Sequence, residues 1–248
     1  MRCHLSLPPM GYTKAQLAIC RGATIPDLIG KDCRLLFVGI NPGLQTAMTG
    51  IHFAHPTNRF WPALKKAGLI DWLPELSPAA PAVPLDEEMN QGRKDRWSAA
   101  TGTHFCHPSN PFCPALRAAG LIELEGDTSV GMSDDQRTEF TGKGMGITNL
   151  VSRATVRASE LTESELVVGG TRLRTVVEQL HPVVVAVAGV TAYRTAFGER
   201  LAALGRQPHP MAGSELWVIP NPSGLNAHET LASLARWHTH VADAAGVK

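Results

Sequence analysis

Two short loops hold the side chains best suited to chemistry in this 248-residue chain: GINPG at 39–43 and PNPSGLN at 220–226. Each joins asparagine to proline and glycine, which predicts a stiff turn whose main-chain N–H groups can approach a ligand closely. Neither loop contains Asp, Glu or Lys. The paired carboxylates of most sugar-cleaving hydrolases are therefore missing, as is the amine that Schiff-base chemistry requires. Binding, orientation and main-chain hydrogen bonding remain. His52, His55, His104 and His107 form HxxH twice, but a zinc site needs further ligands and outer support. A duplication described below accounts for the pattern without metal. Cys3, Cys20, Cys33, Cys106 and Cys113 include no close pair and read as isolated thiols. We expect no metal and no cofactor.

These loops must be positioned by buried strands. The apolar run at 34–39 reads as a strand covered on both faces, and Pro42 and Gly43 end it. Further strands are expected at 146–151, 183–188 and 216–219. Helices are expected at 58–67, with Gly68 as the stop, at 162–180 behind a Thr162–Glu165 capping box, from 191, and at 227–244 behind Asn226 and Glu229. Strands alternating with helices predict an α/β fold: a three-layer α/β/α sandwich around a mostly parallel sheet. In such sheets ligands sit beyond the carboxyl ends of strands at a topological switch point. Both loops belong there.

One segment breaks the alternation. TGIHFAHPTNRFWPALKKAGLI at 49–70 returns as TGTHFCHPSNPFCPALRAAGLI at 101–122. At this offset Asn41 falls on Arg93, Arg59 becomes Pro111 and Trp61 becomes Cys113. The second copy lacks the preceding strand–loop and cannot supply the same site. We read residues 1–248 as one domain in which 71–122, a Pro/Ala-rich linker plus the degenerate copy, is an insertion.

Composition sets broad limits. Apolar residues make up 44% and charged residues 18%, with a formal net charge of +1. This describes an ordinary globular chain, not one that coats nucleic acid, although a local basic face is allowed. There is no apolar run long enough for a membrane span and no secretion-signal pattern at 1–16, so a cytoplasmic protein is expected. Neither GxGxxG nor GxxxxGK[ST] follows a strand, which argues against a nucleotide-binding metabolic enzyme.

Four segments carry a resemblance. GINPGL, TGIHFAHPTNRFWPAL, GITNLVSRAT and IPNPSGLNA resemble the mismatch-specific uracil-DNA glycosylases, the branch that includes thymine-DNA glycosylase. The likeness extends from about 26 to 240, apart from one repeat copy and its linker. It implies the uracil-DNA-glycosylase fold and a double-stranded DNA partner containing G:U or related mispairs. It also implies hydrolysis of the bond between base and sugar. By the same resemblance Asn41 holds the attacking water. Phe53 stacks on the extruded base, main-chain groups of Ile40 and Phe53 bond its edge, and Asn221 lies by base or sugar. Gly224, Leu225 and Asn226 form a wedge that fills the gap and touches the orphaned guanine.

The chemistry fits these roles. A base inside a duplex must be flipped out at a cost of a few kcal/mol, least at a mismatch, and an apolar wedge offsets that cost. Uracil leaves as a delocalised anion that main-chain donors can stabilise. Asn41 has no basicity; it can only orient water, so a slow, monofunctional enzyme is expected. Arg153 is the candidate phosphate contact among Lys143, Arg153, Arg157, Arg172 and Arg174. Plainer readings place Leu225 under the last helix and Phe53 in the core, with Phe105 competing for the pocket. A mismatch-binding protein of weak catalysis is the alternative function, motivated by the insertion. A monomer suits either task.

Overall fold

The computed structural model describes residues 12–76 and 131–247. Four strands are parallel: β1 (Leu35–Gly39), β2 (Met145–Asn149), β3 (Val184–Ala188) and β5 (Glu215–Ile219). The two-residue β4 (Gly205–Arg206) pairs antiparallel with β5 at the edge, giving the order β2-β1-β3-β5-β4. Every residue of β1, β2 and β3 is buried, as expected of strands covered on both faces. The fold is the three-layer α/β/α sandwich that the sequence predicts.

The period of two sorts side chains between the layers. Leu35 and Phe37 enter one core with α3 (Phe60–Lys66), α4 (Asp134–Gly142) and α7 (Leu231–Ala245). Leu36 and Val38 enter the other with α5 (Glu163–Leu180) and α6 (Val190–Phe197). Each fully buried Leu, Phe or Val contributes roughly 1.5–3 kcal/mol. The Thr162–Glu165 capping box opens α5, and His181, in the left-handed conformation before Pro182, closes it. The short helices α1 (Lys14–Ala18) and α2 (Leu44–Thr49) lie outside the sequence expectation, being too brief to show a period.

The last helix begins later than its sequence suggests. Thr230 is the N-cap, in a capping box with Ser233. Asn226 instead donates from Nδ2 to the Asn221 carbonyl (3.0 Å) and accepts from the His228 N–H (3.2 Å). Residues 226–229 thus belong to the loop, because their carbonyls are claimed from outside, as described below.

The first residues of the expected insertion, 71–76, are among those described. Trp72 donates from Nε1 to Glu139 (2.7 Å), and Gln45 donates from Nε2 to the Leu76 carbonyl (3.2 Å). Both Trp72 and Leu76 pack on the α3 core. The Glu75 N–H donates to the Gly131 carbonyl (3.3 Å), so the described chain leaves and returns at one place. The linker and the second repeat copy, with Phe105, His104, His107, Cys106 and Cys113, lie outside the described residues. Replacing 78–129 by a short Gly/Ser linker is expected to change stability by no more than about 2 kcal/mol, since each halving of loop length is worth only about 0.6 kcal/mol. Urea denaturation of both proteins checks this.

Candidate active site

The strand order reverses between β1 and β3, and the first loop leaves the sheet there. Its backbone is zipped along the chain after β2. Leu150 and Val151 donate to the Gly39 and Ile40 carbonyls (2.9 Å each), and Thr155 donates to the Pro42 carbonyl (3.1 Å). This holds Asn41 beside Arg153 and Thr155. Asn41 Nδ2 donates to Thr155 Oγ1 (2.7 Å) and to the carbonyls of Arg153 and Pro42 (3.1 Å each). Thr155 Oγ1 in turn donates to the Arg157 carbonyl (2.8 Å). All three partners accept, so the nitrogen of the amide is held inward. Oδ1 has no partner among the described residues and is not sealed from solvent.

Ile40 and Asn221 meet above Gly189, at the carboxyl end of β3. A side-chain carbon built on Gly189 would lie 3.3 Å from Ile40 Cδ1 and 3.8 Å from Asn221 Cβ. Asn221 Oδ1 accepts from the Ser223 N–H (3.0 Å), which bends its loop into an Asx turn. Its Nδ2 has no acceptor among the described residues and reaches solvent.

Phe53 is half-buried and adopts φ +58, a conformation rare for a bulky residue. Its ring stacks on Phe60 with centroids 4.1 Å apart. Its Cζ lies 3.2 Å from the point where a Cβ on Gly39 would stand. The core reading of Phe53 therefore holds for one face of the ring, which rests on Phe60, while its rim overlooks the end of β1.

At that same end lies Asn149, a residue to which the sequence reading gave no role. It is the last residue of β2, paired in register with Gly39. Asn149 Oδ1 lies 2.4 Å from the would-be Gly39 Cβ, so only glycine is tolerated there. Although Asn149 is only 6% exposed, its Oδ1 accepts no bond among the described residues and is not sealed off. Its Nδ2 bonds His52 Nδ1 (3.2 Å). His52 Nε2 bonds the Pro26 carbonyl (3.1 Å), and the buried imidazole is pushed down to about 4 by desolvation. The HxxH histidine is thus a hydrogen-bond relay. Among the described residues no cluster of three or more His, Cys, Asp or Glu is placed to hold a metal ion. An asparagine closing a buried parallel strand, as Asn41 follows β1, is the signal that marked Asn149.

The second loop is braced from the first. Arg59 donates its main-chain N–H to the Pro222 carbonyl (2.9 Å) and from Nη2 to the Ser223 and Asn226 carbonyls (2.8 Å each); Nη1 reaches the Glu229 carbonyl. These contacts keep 226–229 out of α7. Gly224 sits on Thr57, where an added Cβ would come within 2.5 Å of the threonine Cβ. Leu225, next in line, is 90% exposed. The reading that buries it under the last helix is thereby overturned.

Arg153, the candidate phosphate contact, is paired with a carboxylate. Its Nε and Nη2 donate to Glu165 (2.5 and 3.1 Å) and Nη2 also reaches the Glu160 carbonyl (3.2 Å). The guanidinium holds the Glu165 carboxyl well below the usual range. The Arg153 carbonyl lies under Asn41. Arg172 is likewise engaged, donating to Thr148 Oγ1 (3.2 Å) and the Asn149 carbonyl (2.8 Å). Lys143 pairs with Glu139 (2.8 Å).

The fold and site define an α/β protein with neutral amides and an aromatic platform at the switch point of its sheet. The chain matches the model of the Uracil DNA glycosylase superfamily over residues 26–94 and 91–243, and it belongs to that superfamily. Each matched segment contains one copy of the repeat. Membership makes the protein a DNA glycosylase, a hydrolase of base excision repair that acts on uracil in DNA. Among the described residues no helix is long and apolar enough to cross a membrane.

Two buried histidines make stability depend on pH. His52 is pushed down to about 4 and His238 to about 3, both by desolvation. His238 packs edge-on against Phe37 and Phe60, with Nδ1 unpaired. Unfolded imidazoles take up protons near 6.5 while the folded rings stay neutral. Stability is therefore complete above about pH 6.5 and falls with acidification, by about 1.4 kcal/mol per pH unit for each ring, down to the folded values. Urea midpoints at pH 7, 6 and 5 measure this; a flat profile contradicts it.

Proposed function

We propose that the protein is a monofunctional glycosylase of the mismatch-specific branch, removing uracil opposite guanine from double-stranded DNA and leaving an abasic site. The observation that carries this reading is the Asn41 amide, whose nitrogen is spent on three fixed acceptors while its oxygen is free. That oxygen can accept from a water and aim it at C1′ without deprotonating it. Such a site suits a good leaving group. Uracil qualifies, since its charge spreads over the ring and fixed donors offset it.

The base would lie on the Phe53 ring with its edge towards Asn149. Asn149 Oδ1 accepts from uracil N3–H, and the second Nδ2 proton is free for O4. The N–H groups of Ile40 and Phe53, which donate to no acceptor among the described loop bonds, serve the departing anion. Asn221 contributes its free Nδ2 beside Ile40. Leu225 enters the duplex, and Gly224 and Asn226 meet the orphaned guanine. Arg59 stiffens this loop, so the wedge keeps its shape against the stack. Neither loop has a lysine for strand cleavage, and a single copy of the chain supplies every group named.

Single-turnover excision from G:U, G:T, A:U and single-stranded uracil tests this reading, with G:U expected to be fastest. Tight G:U binding without an alkali-labile product would instead mark a mismatch sensor. Asn41→Ala is expected to slow excision by roughly 10³-fold or more, about 4 kcal/mol, with duplex binding retained in gel-shift titrations. Leu225→Ala is expected to weaken G:U duplex binding by about tenfold while sparing single-stranded uracil. Equal losses on both substrates would remove the wedge role.

A further inference from the structure

We infer that His52 is a specificity-determining positioning residue: through the Pro26 carbonyl it locks the Asn149 amide in the one orientation that reads uracil and rejects cytosine. This rests on the reading that a uracil edge meets Asn149.

The argument begins at a group that has no choice. The Pro26 carbonyl can only accept, so the His52 Nε2 at 3.1 Å must carry the ring proton. A neutral imidazole then has a bare Nδ1, which can only accept. The Asn149 atom at 3.2 Å must therefore be the NH₂ group, and Oδ1 must face the end of β1. Burial keeps the ring neutral across the physiological range, so the orientation holds there. Turning the amide over would set its oxygen against bare Nδ1. Moving the proton to Nδ1 to relieve this would set bare Nε2 against the Pro26 carbonyl. Either change leaves two buried acceptors facing each other, a costly arrangement.

The lock matters because the bases differ at this edge. Uracil offers N3–H and O4; cytosine offers bare N3 and an amino group. A freely turning asparagine satisfies either, since its two ends are nearly isosteric. A fixed one opposes acceptor to acceptor and donor to donor with cytosine. Sites whose buried polar groups are left unpaired discriminate strongly. Two further contacts keep the strand end from adapting. Arg172 donates to the Asn149 carbonyl (2.8 Å), and Trp61 Nε1 donates to the His52 carbonyl (2.7 Å). Of the charged groups near the ring, Asp27 ion-pairs with Arg172 at 3.7 Å, and Arg137 opposes protonation of the imidazole. Pro26 and Asp27 come from the segment joined to β2 by the Leu28–Ile147 bridge, so a strap before β1 sets the polarity of the pocket.

Two substitutions and one spectroscopic measurement test this. His52→Leu removes both bonds and frees the amide. Gln at the same position, His52→Gln, places an NH₂ and a carbonyl at about the imidazole's spacing. Single-turnover rates are read on full-length protein for uracil opposite guanine and for cytosine mispaired with adenine. His52→Leu is expected to lower the uracil-to-cytosine rate ratio at least tenfold, and His52→Gln to restore most of it. A folded His52→Leu protein with the wild-type ratio overturns the lock. ¹⁵N shifts of His52 in the wild-type protein read the tautomer directly and need no variant to fold: the Nε2–H form is expected, and Nδ1–H overturns the proposal. Wild-type protein that excises no uracil would overturn the uracil reading itself, a result distinct from either of these.

Discussion

The site depends on a hydrogen-bond ladder that continues past the ends of β1 and β2. Leu150 donates to Gly39, the last residue of β1, and Val151 and Thr155 donate to Ile40 and Pro42 beyond the ends of both strands. A loop on its own would lose roughly 1–2 kcal/mol of backbone entropy for every residue it ordered. Here the neighbouring chain supplies main-chain partners instead. The consequence is chemical. Because residues 153 and 155 are held beside 41, their oxygens, with the Pro42 carbonyl, engage both protons of the Asn41 amide. One rigid pairing thereby decides which end of a nearly symmetric side chain faces outward.

The same logic recurs at Asn149. Its amide is polarised by His52, as that of Asn41 is by Thr155 and Arg153. Neither asparagine carries charge, and each gains direction from acceptors that cannot reverse role. Loops without carboxylates offer orientation and main-chain dipoles rather than proton transfer. Arg153 and Arg172, which sequence suggests as free cations, are enlisted in this scaffolding through Glu165, Asp27 and main-chain carbonyls.

The segment 52–61 connects the two halves of the task. Phe53 stacks on Phe60, Trp61 holds the His52 carbonyl, and Arg59 ties down the loop that bears Leu225. The corresponding second-copy residues are Pro111 at the brace and Cys113 at the tryptophan. Proline has no N–H to give to Pro222 and no guanidinium for the carbonyls of 223, 226 and 229.

Strand positions, the two-sided burial of the sheet and the two Asn–Pro loops were legible in the sequence, since apolar runs, Pro and Gly act locally. The Thr162 capping box was legible for the same reason. The cap of the last helix was not: Asn226 and Glu229 have the right spacing, but Arg59, distant in sequence, claims the carbonyls that would begin the helix. The pairing of Arg153 with Glu165, the meeting of the chain at Glu75 and Gly131, and the relay from Pro26 through His52 to Asn149 were hidden likewise. Residue types alone determined that the two loops would carry amides, proline and glycine and no carboxylate or lysine. Which way those amides point was decided only by tertiary packing, because an asparagine's two ends differ by so little that its neighbours must choose between them.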